Sequence, residues 1–191
     1  MPEATQTVDL SDLVALVSVC VAALTIIVNY LLNRLQFRDK LLEAERDEIY
    51  KKLNEFYGPF LQLRHTSSIL HERFKNGREF STLVALLEGK RFTGNDAILI
   101  KEIIRIGREC QQLIYDKSGL IDEYELRAIH LPIANRHYFT LQQAAEGKLS
   151  GEVERFKVDK FPKEIDDILE KRVSELNSRL EEINKKSKSF F

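Results

Sequence analysis

The sequence predicts an all-α chain in three parts: an N-terminal transmembrane helix, a charged stalk helix and a cytoplasmic helical bundle. Three observations lead there. Residues 13–32, LVALVSVCVAALTIIVNYLL, hold no charged side chain. Past residue 33 the apolar residues recur at spacings of three and four, and strand-like alternation is hard to find. Gly (8) and Pro (4) are few among 191 residues, so turn chemistry for a sheet is scarce.

Residues 13–32 are long enough for the hydrocarbon core, since a helix rises roughly 1.5 Å per residue and lipid demands about 30 Å. Inside lipid a helix satisfies its own backbone, which is why an apolar run of this length reads as a span. A cleavable signal peptide would need a basic segment ahead of the apolar stretch and a small-residue cleavage site. Residues 1–12 carry Glu3, Asp9 and Asp12 but no Lys or Arg, and Asn33-Arg34-Leu35-Gln36-Phe37-Arg38 is no cleavage site. A buried helix of a soluble domain is the other reading, and the abrupt change of composition at Asn33 speaks against it. Arg34, Arg38, Lys40, Arg46, Lys51 and Lys52 follow the span, so the positive-inside rule expects residues 1–12 outside and the rest in the cytoplasm. Tyr30 falls at the inner boundary. Asn29, one turn from it, can be solvated by headgroups or can hydrogen-bond a neighbouring span. Ser18 and Ala22, four apart, would let two spans approach closely.

Residues 33–57 are expected to form the stalk. Ten of the sixteen residues from Phe37 to Lys52 are charged. Leu35, Leu42, Ile49, Phe56, Leu63 and Leu70 recur every seven residues, and the companion heptad positions become apolar only at Leu53 and Phe60. So narrow a stripe suits a solvated connector or a partial coiled coil. At Tyr57-Gly58-Pro59-Phe60 the stripe widens. Pro59 removes a donor and crowds the preceding turn, so the helix must kink or restart there. Tyr57 to Phe60 is therefore the expected joint between stalk and domain.

The domain is expected over residues 58–185, with a basic and aromatic tail at 186–191 that either frays or touches an anionic leaflet. Asn76-Gly77 should end its first helix, because both tolerate the left-handed conformation. Ser81 should cap a short helix that stops at Gly89. Asn95 or Asp96 should cap a longer one to about Tyr115, with Ala97, Ile100, Ile103, Ile104, Cys110, Leu113 and Ile114 on one face and Gly107 permitting close approach. Residues 121–130 read as helix ended by Pro132, residues 133–145 as the next, and residues 148–162 as the longest loop, tacked down by Phe156, Val158 and Phe161. The last helix, about residues 163–185, carries Ile165, Leu169, Val173, Leu176, Leu180 and Ile183 as a packing seam.

Chemical motifs are missing. There is no HExxH, GxSxG, GxxxxGK[ST] or GxGxxG, and the two cysteines, Cys20 and Cys110, fall on either side of the membrane boundary. His65 and His71 face differently on one helix, and His130 and His137 flank Pro132. A metal site from distant parts, such as His137 with Asp122 and Glu123, is weighed against plain surface or core histidines. The pairs Asp122-Glu123, Asp166-Asp167 and Glu181-Glu182 read as solvated faces. Arg64 and Arg73 should lay their stems on the core and reach nearby acids. The aromatics Phe56, Tyr57, Phe60 and Phe74, with Tyr138 and Phe139, are read as core, or alternatively as a groove for an amphipathic helix. A net charge of −1 with both signs interleaved argues against nucleic acid as a partner.

The segments EIYKKLNEFYGPFLQLRHTSSILHERF, HYFTLQQAAEG and FPKEIDDILEKRVSELNSRLEEI resemble a group of uncharacterised small bacterial membrane proteins. These share one N-terminal span and a helical cytoplasmic domain that opens at a YGP turn. The resemblance implies a bacterial inner-membrane protein and transfers no active site. The expected function is binding, by a membrane-anchored adaptor, sensor or scaffold that docks a cytoplasmic partner or another copy of itself; no catalytic residue, cofactor or metal is expected. The alternative is a membrane-perturbing effector of a toxin or phage-defence system that acts by clustering its span through Ser18, Ala22 and Asn29.

Overall fold

A proline inside a helix must be accommodated, and this chain does so twice in the same way. The computed structural model describes residues 10–149 and 153–188; the expected outer segment before residue 10 and the last residues of the tail lie outside them. Among the described residues there are helices and no strand. The chain divides into two units, Met1–Arg46 and Asp47–Phe191.

The first unit is helix α1, which runs Leu10–Lys52 and so ends inside the second. Among the described residues one helix is long and apolar enough to cross a membrane, with a window of mean hydropathy 1.6. Its described large apolar side chains from Leu13 to Leu32 are all half or more exposed. Ser18 donates its hydroxyl to the Val14 carbonyl at 2.8 Å and Thr25 does the same to Val21, so neither hydroxyl needs a partner outside its own helix.

The second unit begins with the end of α1 and a π turn, Leu53–Tyr57, and continues as α2, Gly58–Lys75. A regular α-helix would press the Pro59 ring onto the carbonyl four residues back and leave a bond unmade. The π turn answers this by taking an extra residue, with the Gly58 N–H bonded to the Leu53 carbonyl. The chain therefore neither breaks nor restarts at the joint. Gly58 fits here because a Cβ would lie 2.7 Å from the Leu53 oxygen. The same device recurs at the second proline. A π turn, Leu126–His130, closes through the Leu131 N–H to the Leu126 carbonyl and leads into α5, Leu131–Ala145. Pro132 thus sits in the first turn of α5 and ends nothing, contrary to the reading of the sequence. Leu131 occupies the position equivalent to Gly58, so the need for glycine belongs to the first turn alone.

Other boundaries follow local chemistry. Asn76 (φ 46°) and Gly77 (φ 74°) terminate α2 in the left-handed region. Ser81 accepts from the Val84 N–H at 3.4 Å and caps α3, Thr82–Leu87. Helix α4, Gly94–Lys117, starts after Thr93 with no side-chain cap, so neither Asn95 nor Asp96 plays that part. Its Gly107 is the site of close approach: a Cβ there would come within 3.1 Å of the Tyr138 ring. The four-residue α6, Val153–Phe156, and α7, Glu164–Lys188, complete the chain. Helix α4 packs on α2 and α5, while α3 lies on α5 and α7 on α2.

Two sets of apolar side chains fill this unit. Phe74, Leu83, Leu87, Ile100, Ile103 and Leu141 form one cluster, with Phe80, Phe92 and Phe156 packed on it. Phe56, Tyr57, Phe60, Ile106, Ile121, Leu126, Ile165 and Leu169 are also buried. Past the π turn the buried row of α2 is Phe60, Ser67 and Phe74, whereas Leu63 and Leu70 of the original heptad are half-buried. Val158 is 70% exposed and tacks down nothing.

Gly58→Ala is expected to destabilise the second unit by about 1–3 kcal/mol by driving a methyl into the π turn. Gly119→Ala, whose Cβ would meet nothing within 4 Å, should stay within about 0.5 kcal/mol. Urea unfolding of the full chain in detergent, followed by circular dichroism, measures both.

Candidate functional site

Long-range ion pairs organise the second unit at two places, one partly exposed and one buried. At the first, the Asp122 carboxylate accepts from Lys52 Nζ and the Tyr57 hydroxyl, each at 2.8 Å, and from Arg172 Nε and Nη2 at 3.2 and 2.8 Å. Lys52 also reaches Glu48 at 2.6 Å, and Arg172 reaches Glu175 at 2.9 Å. Burial alone would raise the Asp122 carboxyl, but the hydrogen bonds from Arg172, Lys52 and Tyr57 outweigh it and hold it well below the usual carboxylate range. Burial and the bond to Asp122 push the Tyr57 hydroxyl up to about 12. The residue expected at the joint is thus a fully buried ring with its polar end on a carboxylate. Asp122 remains partly solvated, with its side chain 29% exposed, while it joins these three partners. Its neighbour Glu123 accepts from the Leu126 N–H at 3.0 Å and caps the start of the second π turn.

At the second place Arg64, buried on α2, donates Nε and Nη2 to the two Asp166 oxygens at 2.9 and 3.0 Å. Its guanidinium lies 3.7 Å over the Phe161 ring. The expectation that Arg64 would cover the core and find an acid holds, and Asp166 is drawn from the solvated set to meet it. This pair lies in the wall of a cleft of about 630 Å3 between α2, α3, α5 and residues 160–166. Leu83, Ile103, Leu141 and Tyr138, all buried, form its floor; Lys75, Lys160 and Lys163 are exposed at its mouth.

Two histidines line the same cleft. His137 Nδ1 lies 2.8 Å from the Asp159 carbonyl, which can only accept, so Nδ1 carries the proton and Nε2 is free. Burial lowers the His137 pKa; the Asp159 carbonyl partly offsets this and Arg64 adds to it. His71 stands with Nδ1 3.5 Å from the Thr82 hydroxyl, at the limit of hydrogen bonding. Burial first, then His137, Arg64 and Lys75, push His71 down to about 4. So weak a base is a poor acceptor for a hydroxyl proton near neutrality. The buried Tyr138 hydroxyl makes no hydrogen bond of good geometry but lies beside the Arg64 guanidinium and the Cys110 thiol, and burial raises it well above its ordinary value. Cys110, buried near Tyr138, is pushed up to about 11 by burial and is an inert thiol.

The residues singled out from sequence are placed as follows. Phe56, Tyr57, Phe60 and Phe74 show no exposed surface, so as they stand they are core and offer no groove. Phe56 packs against Tyr57 and Phe60 at ring separations of 5.1 and 5.3 Å, whereas Phe74 joins Phe80 and Phe92 in the other cluster. Gly58 and Pro59 form the start of α2. Ser18, Ala22 and Asn29 are exposed on α1. His137, Asp122 and Glu123 each have separate partners, and no group of three ligating side chains suited to a metal occurs among the described residues. Sequence reasoning missed the cleft. Its signal was the pairing of a buried-face Arg64 with an acid on another helix, which no spacing rule reveals.

A second concave surface lies on α4 and α5. Tyr115, Ile129 and Phe139 are 61%, 49% and 54% exposed around a groove that also includes Pro132 and Ile133. Beside it the buried Asn135 Oδ1 has no partner. Set against protein-family models, curated proteins and solved structures, the chain matches none.

Asp166→Asn should cost about 2–4 kcal/mol, because it leaves the Arg64 guanidinium buried without its counter-charge. The histidine gives a pH signature. His71 is neutral in the fold at about 4 and protonates near its ordinary 6.5 once unfolded. Stability from this group is therefore full above pH 6.5 and is lost as pH falls toward 4. His71→Gln should remove on the order of 2–3 kcal/mol of that loss, read from unfolding midpoints at pH 7.5 and 4.5.

Proposed function

We propose that this chain is a membrane-anchored helical interaction module, an adaptor, sensor or scaffold. In this reading a single-pass span in a bacterial inner membrane, with its N-terminus outside, holds a cytoplasmic helical bundle that docks a cytoplasmic partner or a second copy of the chain. The observation that carries it is the exposed face of Tyr115, Ile129 and Phe139. Large aromatic and aliphatic side chains gathered around a groove are the composition of an interface core. The exposed apolar length of α1 supports the anchor, and the Lys and Arg residues that follow it support the orientation. Anchoring confines the domain to a thin layer beside the membrane, so a modest interface can reach useful occupancy.

The full chain should sediment with membranes from a detergent-free lysate, and deletion of residues 1–32 should release it. With a photo-reactive residue at position 139, crosslinked species should form in cells, either to a partner or between copies. Phe139→Glu combined with a photo-reactive residue at 115 should abolish them while the unfolding midpoint stays unchanged. Crosslinks indifferent to Phe139→Glu would exclude this face. Rapid loss of membrane potential on expression, dependent on residues 13–32, would favour the effector reading instead.

A further inference from the structure

The cleft between α2, α3, α5 and residues 160–166 carries an excess of positive charge that the fold does not use. Arg64 is matched by Asp166, but Lys75, Lys160 and Lys163 at the mouth have no ion-pair partner among the described residues. The one other carboxylate on the wall is Glu72. Elsewhere in this unit cations facing the protein are met, as Lys52, Arg108, Lys117 and Arg172 are. Ser67, Ser68, Ser81 and Thr82 also line the cleft. His71 in the same cleft is held low first by burial and then by His137, with Arg64 and Lys75 adding to it. Apolar and aromatic side chains, Leu83, Ile103, Leu141, Phe80, Phe161 and Tyr138, line the same cleft.

A volume of about 630 Å3 suits a small molecule. The mouth specifies its charge. Three flexible ammonium groups with adjacent hydroxyls match a compact group with about two negative charges and several acceptor oxygens, as a phosphomonoester has. A monocarboxylate would leave most of that capacity unused. We propose that this cleft binds a small phosphomonoester whose apolar or aromatic body rests on Leu83, Ile103, Leu141 and Tyr138 while its phosphate lies among Lys75, Lys160 and Lys163. This site is separate from the docking face and does not rest on it.

The probe is phenyl phosphate, titrated calorimetrically into the full chain in nonionic detergent, with phenol, benzoate and inorganic phosphate in parallel. Phenyl phosphate should bind saturably at one site, at least about tenfold more tightly than any of the three. The double variant Lys75→Gln/Lys163→Gln should weaken it at least about tenfold at an unchanged unfolding midpoint, and Lys101→Gln, which lies away from the cleft, should not. Dihexanoyl phosphatidic acid distinguishes the source. If it displaces phenyl phosphate and binds more tightly, the cleft takes a lipid headgroup; if it does not compete, a soluble phosphate ester is the occupant. No saturable heat from millimolar phenyl phosphate, equal binding of benzoate, or affinity unaltered by the lysine substitutions would overturn the proposal.

Discussion

The second unit depends on how two prolines are absorbed within packed helices. Each proline removes a backbone donor and excludes the carbonyl four residues earlier, and a π turn relieves both at the expense of helical phase. Past Leu53–Tyr57 the buried face of α2 passes from the Ile49–Phe56 row to Phe60, Ser67 and Phe74, and takes Arg64 inside with it. Past Leu126–His130 the face of α5 presents Tyr138 and Leu141 inward, with His137 beside them. The two long walls of the cleft are thus both set by a turn with one residue more than the regular helix would hold.

Once Arg64 is turned inward, charge burial dictates the next contact. An unpaired guanidinium in the core would cost several kcal/mol, so α7 must bring Asp166 to it, and the Phe161 ring covers its face. A partly exposed hub stands at Asp122. One carboxylate there joins the end of α1 through Lys52, the first π turn through Tyr57, and α7 through Arg172. Each contact joins residues at least fifty positions apart, so these carboxylates fix where the last helix lies against the first part of the unit. Surface pairs such as Arg105 with Glu102 and Glu109 stay within one helix and fix nothing of the kind.

Local signals were legible in the sequence and distant ones were not. Asn76-Gly77, the Ser81 cap and the tight approach at Gly107 depend on a few neighbouring residues, and were read correctly. The α7 seam follows from spacing alone: Ile165, Leu169, Leu176, Leu180 and Ile183 are buried. The π turns were hidden because proline announces a difficulty without its solution, and a kink, a restart and a widened turn all satisfy the same residues. Ile106, three residues after Ile103 and four before Cys110, belongs to the same buried face of α4. Asp122 and Asp166 read as solvated acids since their partners come from other helices. The cleft itself required knowing that residues 64–75, 80–83, 137–141 and 160–166 meet.

The contrast between the two units bears on the membrane. In the second, most leucines and isoleucines on a helix face find cover, the exposed exceptions being Ile69, Ile98 and Ile129. In residues 13–32 the described large apolar side chains are exposed all round the helix, with no polar face to turn outward. A helix apolar on every side has no stable arrangement in water unless it is buried. The hydroxyls of Ser18 and Thr25 are satisfied by their own backbone, an arrangement compatible with lipid. By length and composition this helix is a candidate membrane span, and a hydrocarbon layer would cover such a surface without requiring any specific contact.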